Sequence, residues 1–391
     1  MSLPDSLLSL PEPPPELLDL SRQLCTRIVK RIDHEGPLSF DEYMRMALYE
    51  PGLGYYVNGL HKFGAAGDFV TAPGQGRIFA RALATQIDEL AALLTTRWTL
   101  LELGPGNGEL ARDLLVALEA PPAHYVMLEP SAALRAVQRE TLGTLPGDLF
   151  SRIQWIEQPP DRAFDGVVLA NEVLDALPVA RFEIGDQGLQ ELAVTASDQG
   201  LDWIRVEPRR RLASSLESRL GGVDHPLAPG YRSEICVDLP AWLETVTAAM
   251  TRGLALLIDY GYPRREYYHP DRADGTLVCH YRHRAHFDPF FWPGLTDLSA
   301  FVDFTTVAEA AEACGLSLAG FTSQAGFLLG LAAHEQIERA GNDVERMQLT
   351  AELKRLVLPG EMGEKFKVIG LTRGIEQPLR GFEFGSQLHR L

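Results

Sequence analysis

Leu101-Glu102-Leu103-Gly104-Pro105-Gly106-Asn107-Gly108 is the stretch on which the fold turns. It closes WTLLELG, a short apolar run that starts at Trp98 and reads as a strand buried on both faces. A helix is expected directly after it, from Glu109 to about Leu118. Glycines between a buried strand and a helix allow a tight turn and let a ligand approach the backbone. A purely structural strand-to-helix turn would favour glycine too, so the neighbouring residues have to decide between the two.

The same alternation continues outward. HYVMLEP is a second buried strand, followed by a helix through about Leu142. RIQWIEQ and FDGVVLANE give a third and a fourth strand, GLALLIDYG a fifth and EKFKVIGLTRG a last one. Strands alternating with helices imply a mostly parallel sheet covered on both faces, and right-handed crossovers make it doubly wound. The pattern breaks after Pro178, where RFEIGDQG, LQELAVTASDQG and LDWIRVEP read as an antiparallel meander joined by DQG turns. Five segments are therefore expected: a Pro-rich, extended or disordered tail (1–15), a helical cap with a covering loop (16–95), a first part of the core (96–179), an inserted β-rich segment (180–250) and a second part of the core (251–391). In the cap, Leu17, Leu20, Leu24, Ile28 and Ile32 fall at helical spacing. Ser39 and Glu42 form a capping-box pattern for a helix to about Tyr49, and a third helix runs from Arg77 to about Leu94. After the fifth strand a loop rich in Arg, His and Pro is expected to about Phe301, then a helix in VDFTTVAEAAEACG.

Hydrophobic residues make up 46% of the 391, enough for a large core. No apolar run reaches the roughly 18 residues that cross a bilayer, so no membrane insertion is expected. The opening segment lacks a basic n-region and carries Pro and acids, unlike a signal or transit peptide, which points to the cytoplasm. Cys25, Cys236, Cys279 and Cys314 are far apart, which argues against a disulfide framework or a zinc ribbon. With 36 basic and 53 acidic residues the formal charge is -17, so nucleic acid is a poor partner and a cationic protein segment a better one. The short basic run Pro208 to Arg211 reads as a solvated loop or helix start.

Glu129 ends the second strand about 20 residues beyond the glycines, the distance expected of a ribose-binding acid. Beside Pro130 and Ser131 it could equally open a helix. The glycine spacing is GxGxG rather than the GxGxxG of dinucleotide sites. Glu102, just before the loop, would repel a pyrophosphate but suits the amino group and sulfonium of S-adenosylmethionine. Asn171, Glu172 and Asp175 follow the fourth strand, and Asp259-Tyr260-Gly261 ends the fifth. Acids and amides converging on one rim are what an active site on this fold requires, although a helix cap would use some of the same residues. The His280, His283, His286 run lacks a familiar zinc spacing; a substrate-facing loop is expected there, and no metal. Tyr55, Tyr56, Phe63 and Phe69 could gate the cleft or form local core.

At these residues the chain resembles the MidA-type methyltransferase family, which includes the mitochondrial methyltransferase that assists assembly of respiratory complex I. The likeness runs from about Ile32 to Leu371, through IDHEGPLSFDEYMRMALYEPGLGYY, KFGAAGDFVTAP, LLELGPGNGEL, LEPSAALRAVQ, VVLANEVLDALPVARF, GLALLIDYGYP, GTLVCHYRHRAHFDPFFWPGLTDLSAFVDF and GEKFKVIGL. It implies a Rossmann-like class I α/β methyltransferase with a mostly parallel seven-stranded sheet, a helical N-terminal cap and an inserted β-rich segment. It also implies S-adenosyl-L-methionine as cofactor and a protein substrate carrying a target arginine, a complex I subunit among the candidates. By the resemblance, Glu102, Gly104, Gly106 and Gly108 would hold the amino-acid part of the donor and Glu129 its ribose. Gly67, Asp68, Phe69 and Thr71 would close over it from the cap, and Asn171 and Glu172 would line the methyl-transfer site with Asp175 nearby. Two positions depart from the family pattern. Gly74 stands where TAPEIS has an acid, and Ala180 stands where a His usually follows NEVLDALPV.

A guanidinium is a poor nucleophile, being delocalised and protonated below a pKa of about 12. Carboxylates can orient it and take up the proton released on methylation. Glu172 is the first candidate for that work, with Asp175 or Asp259 as its partner. The rival functions are a donor-binding assembly factor with little catalysis and an NAD-linked oxidoreductase. A small-molecule methyltransferase fits less well with a cap and long loops.

Overall fold

The computed structural model describes residues 10–59, 76–94, 97–223 and 225–391. Its contacts divide the chain into two units, one of Met1–Phe69, Asp175–Leu239 and Arg264–Phe301, the other of Val70–Leu174, Pro240–Pro263 and Val302–Leu391. Strands are numbered along the chain.

The second unit is built on β2 (Thr99–Leu103), β3 (His124–Leu128), β4 (Ile153–Ile156), β5 (Phe164–Asn171), β10 (Met250–Tyr262), β15 (Ser317–Ser323) and β16 (Phe366–Arg373). They lie in the order β15-β16-β10-β5-β2-β3-β4, and the short β14 (Val302–Asp303) pairs with β10. Every pairing from β10 to β4 is parallel, while β16 runs antiparallel to both its neighbours. This is the mostly parallel seven-stranded sheet of the Rossmann-like class. Its central strands read as unbroken apolar runs because both faces are covered: Leu100, Leu101, Val167 to Ala170 and Leu254 to Ile258 are all buried. The helices Arg77–Ala91 and Glu109–Ala117 add Ile78, Leu83, Ile87, Leu110 and Leu114 to the same core. β15 was hidden in the sequence, since Ser317 and Gly320 interrupt its apolar pattern and the register slips between Leu318 and Gly320.

Close strand packing in this sheet needs glycine at one level. Gly166 on β5 lies beside Thr99 on β2 and beside Gly253 on β10. A Cβ on Gly166 would stand 1.8 Å from the Thr99 carbonyl oxygen, and one on Gly253 would stand 1.8 Å from that of Gly166.

The first unit holds the meander. β6 (Ala180–Gly185), β7 (Gly188–Ser197) and β8 (Gly200–Val206) pair antiparallel through two-residue turns, with Gly188 and Gly200 at positive φ after each. β1 (Leu38–Ser39) joins β7, and β9 (Arg232–Ile235) joins β6. A second sheet, β12-β11-β13, comes from β11 (Val278–Tyr281), β12 (Arg284–His286) and β13 (Asp297–Ser299). Arg264–Phe301 therefore falls in this unit and not in the second half of the core, as the sequence suggested. The reason is apolar: Leu277, Cys279, Leu298 and Ala300 pack into one cluster with Leu24, Ile28, Phe40 and Tyr43. The hairpin was missed because its turn, Arg282-His283, has φ of 47 and 60 without the usual Gly or Asn.

Two local expectations are corrected. The first helix starts at Pro15, which serves as an N-terminal proline rather than as the end of an extended tail; 1–9 lie outside the described residues. Ser39 caps the helix Phe40–Tyr49 without accepting a backbone bond; its hydroxyl donates to Glu42 Oε2 at 2.8 Å, and Arg31 holds the other Glu42 oxygen. All four cysteines are free thiols. Among the described residues, no helix is long and apolar enough to cross a membrane.

Replacing Gly166 by Ala should cost about 3 kcal/mol by forcing β2 and β5 apart. Thermal unfolding measures it, and a midpoint indistinguishable from the parent would disprove the close approach.

Candidate functional site

The glycine loop grows out of the carboxyl end of β2. Gly104, Gly106 and Gly108 have φ of 58, 55 and 84, a region that side chains strain to enter. A Cβ on Gly104 would also press within 3.0 Å of Val173. Gly108 caps the helix Glu109–Ala117, its N–H donating to the Pro105 carbonyl at 2.9 Å, and Asn107 Oδ1 accepts from the Glu109 N–H at 3.1 Å.

Behind the loop lies Gln138, fully buried and absent from the sequence-based candidates. Its Nε2 donates to the Gly106 carbonyl at 2.8 Å and to Glu129 Oε2 at 3.3 Å. Its Oε1 accepts from Trp155 Nε1 at 3.0 Å. One amide thus ties the glycine loop, the acid at the end of β3 and an indole on β4 together. The signal was present: Leu134, Gln138 and Leu142 share the buried face of the helix Ala132–Leu142, and a glutamine on such a face has to be satisfied. Glu129 is itself buried, and its Oε1 accepts from the Ser131 N–H at 2.8 Å.

Glu102 is buried under the loop with the Tyr125 hydroxyl donating to it at 2.9 Å. Burial pushes its carboxyl up to about 7, against the smaller pull of that hydrogen bond. The acid at the base of the loop therefore changes charge near neutrality.

The ends of β5 and β10 make the second part of the site. Glu172 takes a left-handed conformation, φ 53, rare for a residue with a side chain. Its N–H donates to the Ile258 carbonyl at 2.9 Å. Asp259, fully buried, accepts at one oxygen from the Val173 and Leu174 N–H groups, at 3.1 and 2.8 Å, and at the other from Tyr260 at 2.8 Å. The sharp turn that carries Glu172 is thus pinned from β10. Asn171 Nδ2 donates to Glu172 Oε1 at 3.2 Å, and Asn171 Oδ1 is buried with no hydrogen-bond partner among the described residues. Such an atom awaits a donor.

Asp175 belongs to the other unit, where it is buried and its carbonyl accepts from the Ala300 N–H at 3.0 Å. Gly67, Asp68, Phe69 and Thr71 lie outside the described residues, as do Phe63 and Gly74. Ala180 is fully buried on β6 opposite Ile235. Tyr55 is buried, and the Tyr56 hydroxyl donates to Asp297 Oδ1 at 2.9 Å, so both serve as local core. The histidine run forms the β11–β12 hairpin instead of a loop. His286 is fully buried and pulled down to about 4 by burial, with the charge of His280 adding, so it is neutral at physiological pH. Among the described residues, no cluster of three or more His, Cys, Asp or Glu could hold a metal ion.

Residues 78–322 match the family model described as "Putative S-adenosyl-L-methionine-dependent methyltransferase". The chain is 30% identical to the zebrafish (Danio rerio) mitochondrial protein arginine methyltransferase NDUFAF7, over 89% of this chain and 86% of that protein. The human (Homo sapiens) protein of that name is 28% identical, over 89% and 83%. A crystal structure from Burkholderia thailandensis, bound to S-adenosyl-homocysteine, superposes with a TM-score of 0.91 at 38% identity, covering 98% of this chain and 100% of that one. The cytoplasmic location drawn from the opening segment is corrected by the animal relatives, which are named as mitochondrial. The residues of the rim fit the cofactor: three left-handed glycines bare the backbone, Glu129 ends β3, and Asn171 offers a buried acceptor.

Gln138→Leu should leave the Gly106 carbonyl, Glu129 and the Trp155 indole without their shared partner. Affinity for S-adenosyl-homocysteine, read by calorimetry, is expected to fall about tenfold or more. Unchanged affinity would mean that the loop holds its shape without the brace.

Proposed function

From the premise that this chain belongs to the S-adenosyl-L-methionine-dependent methyltransferase family, we propose that it methylates an arginine of a protein substrate, a respiratory complex I subunit being the first to test. The arginine methyltransferases among its relatives support this acceptor. The observation that carries it here is the left-handed Glu172, a carboxylate held at the rim at a cost of about 1–3 kcal/mol.

When bound, the donor supplies an electrophilic methyl carbon on a sulfonium. The protein has to align and desolvate the acceptor. Glycines at 104, 106 and 108 open the backbone to the donor's amino-acid end, and Glu129 suits its ribose hydroxyls. Glu172 pairs with the guanidinium, draws charge onto one nitrogen and takes the proton that methylation releases. Asp259 acts at one remove: its oxygens hold the Val173, Leu174 and Tyr260 N–H groups, so it positions Glu172 and does not share its chemistry.

Glu172→Gln should therefore keep S-adenosyl-homocysteine affinity within about threefold and lower turnover about a hundredfold or more. Mass spectrometry of methylarginine in cells lacking the protein, re-supplied with parent or variant, reads the second effect. Full restoration by the variant would reassign the protein as a donor-binding assembly factor.

Glu102 gives the pH dependence. A cationic donor favours its ionised form, so S-adenosylmethionine affinity should rise with pH through about 7, and Glu102→Gln should flatten the curve. Stability of the free protein has the opposite slope. A carboxyl raised from 4.5 to about 7 binds its proton more tightly in the folded state. Its contribution is fully present below about 4.5 and is lost as pH rises through about 7, about 3 kcal/mol at most. Parallel melting and binding curves with the same pH dependence in the Gln variant would refute the assignment.

A further inference from the structure

A cavity of about 350 Å³ opens on the second unit, and none of the described residues assigned to the donor lines it. Three arginines line it: Arg77 and Arg81 on the helix Arg77–Ala91, and Arg112 on the helix Glu109–Ala117. Such clustering is unusual in a chain with 53 acidic and 36 basic residues. Arg112 is partly spent, its Nε donating to Asp113 at 2.8 Å. Arg77 and Arg81 make no ion pair and no guanidinium hydrogen bond among the described residues.

The helix gains nothing from the charge at Arg77. This is its first residue, and the first turn holds no acid, so the cation stands at the wrong end of the helix dipole. Glu352 meets the needs of the helix start instead, accepting from the Ile78 N–H, with Arg81 in its field. The arginine side chains are left facing the cavity. The rest of the lining mixes apolar and polar groups: Val116, Ala117, Leu145 and Pro146, the Thr144 hydroxyl, and Asp113, whose carboxylate is paired with Arg112; Val116 is 64% exposed on a helix otherwise sorted into apolar and polar faces.

We propose that this cavity binds a small organic polyanion, with two or more carboxylate or phosphate groups on a compact body. The volume lies at the lower end of small-molecule sites and is too small for a folded partner's surface. Guanidiniums take carboxylate and phosphate oxygens two at a time, and Arg77 and Arg81, one helical turn apart and without an ion pair among the described residues, favour a ligand with more than one anionic group, Arg112 remaining shared with Asp113. The donor does not answer this description, being cationic at the sulfonium and without phosphate. Nor does the proposal depend on which acceptor the enzyme methylates.

Calorimetry on the full chain, with inorganic pyrophosphate and with citrate as probes, tests it at constant ionic strength against sodium chloride. Saturable one-site binding is expected for at least one probe, and the tighter of the two identifies a phosphorylated or a polycarboxylate ligand. Arg77→Gln with Arg81→Gln should weaken it about tenfold or more. Val116→Asp, at an exposed position, should do the same by bringing a negative charge to the wall. S-adenosyl-homocysteine affinity should be unchanged in both variants, which also shows that they fold. Absence of saturable binding by both probes, or equal binding by parent and variants, would overturn the proposal.

Discussion

The parallel alignment of β2, β5 and β10 is the constraint from which the site follows. Thr99, Gly166 and Gly253 lie side by side at one level, where two glycines let the backbones approach. Four residues on, Leu103, Ala170 and Leu257 are still in register. At the next level β2 has given way to Gly104, Asn171 and Ile258 form the last pair between β5 and β10, and Glu172 follows beside Asp259, which β10 still carries in register with β16. No long-range attraction between functional side chains is needed to assemble them. The apolar pressure that buries the central strands also sets the level at which their polar ends emerge.

That rim carries an unusual density of buried polar groups, most of them answered by backbone or by another side chain, with Asn171 Oδ1 the exception among those described. Gln138 serves three partners at once, and Asp259 serves three N–H groups. A buried group left unanswered costs about 1–3 kcal/mol, so loss of one such hub is worth more than loss of one hydrogen bond. The left-handed Glu172 becomes affordable only because Asp259 and the Ile258 carbonyl over-determine the turn around it. Rigidity of this kind suits a reaction in which the donor is already activated and alignment is the protein's main task.

What the sequence reveals divides along the same physical line. Strands buried on both faces announce themselves as apolar runs, and β2, β3, β5 and β10 were legible for that reason, as was the meander with its DQG turns. β9, β15 and the β11–β13 sheet were not, because they are short or interrupted and their turns break the residue preferences. The glycine loop, Glu129 and Glu172 could be picked out by position after a strand. Gln138 was signalled only as a polar residue on an apolar helix face, and neither its partners nor the positioning role of Asp259 could be read, since these contacts span 32 and 86 residues of chain. Location failed for a different reason: an opening segment without a basic n-region says little about where relatives with the same fold reside.

Charge is distributed with similar economy. In the first unit the arginines of the meander neutralise its own glutamates: Arg205 and Arg232 meet Glu183 at 2.9 and 2.7 Å, Arg181 meets Glu234 at 3.0 Å, and Arg209 meets Glu191 at 2.8 Å. Hydrogen bonds from Arg205 hold Glu183 below its ordinary range despite burial. Two of the three arginines after Pro208 are paired as well, Arg209 also reaching Asp41 and Arg211 reaching Asp238. Buried glutamates of this kind cannot be left alone, so each arginine there answers an internal need. The surplus of negative charge is then carried by exposed acids, which favours a cationic acceptor and long-range attraction of an arginine-bearing segment. Arginines without an ion pair among the described residues stand out against this background: Arg77 is one, and Arg81 is another, touching an internal acid only through the field it exerts on Glu352.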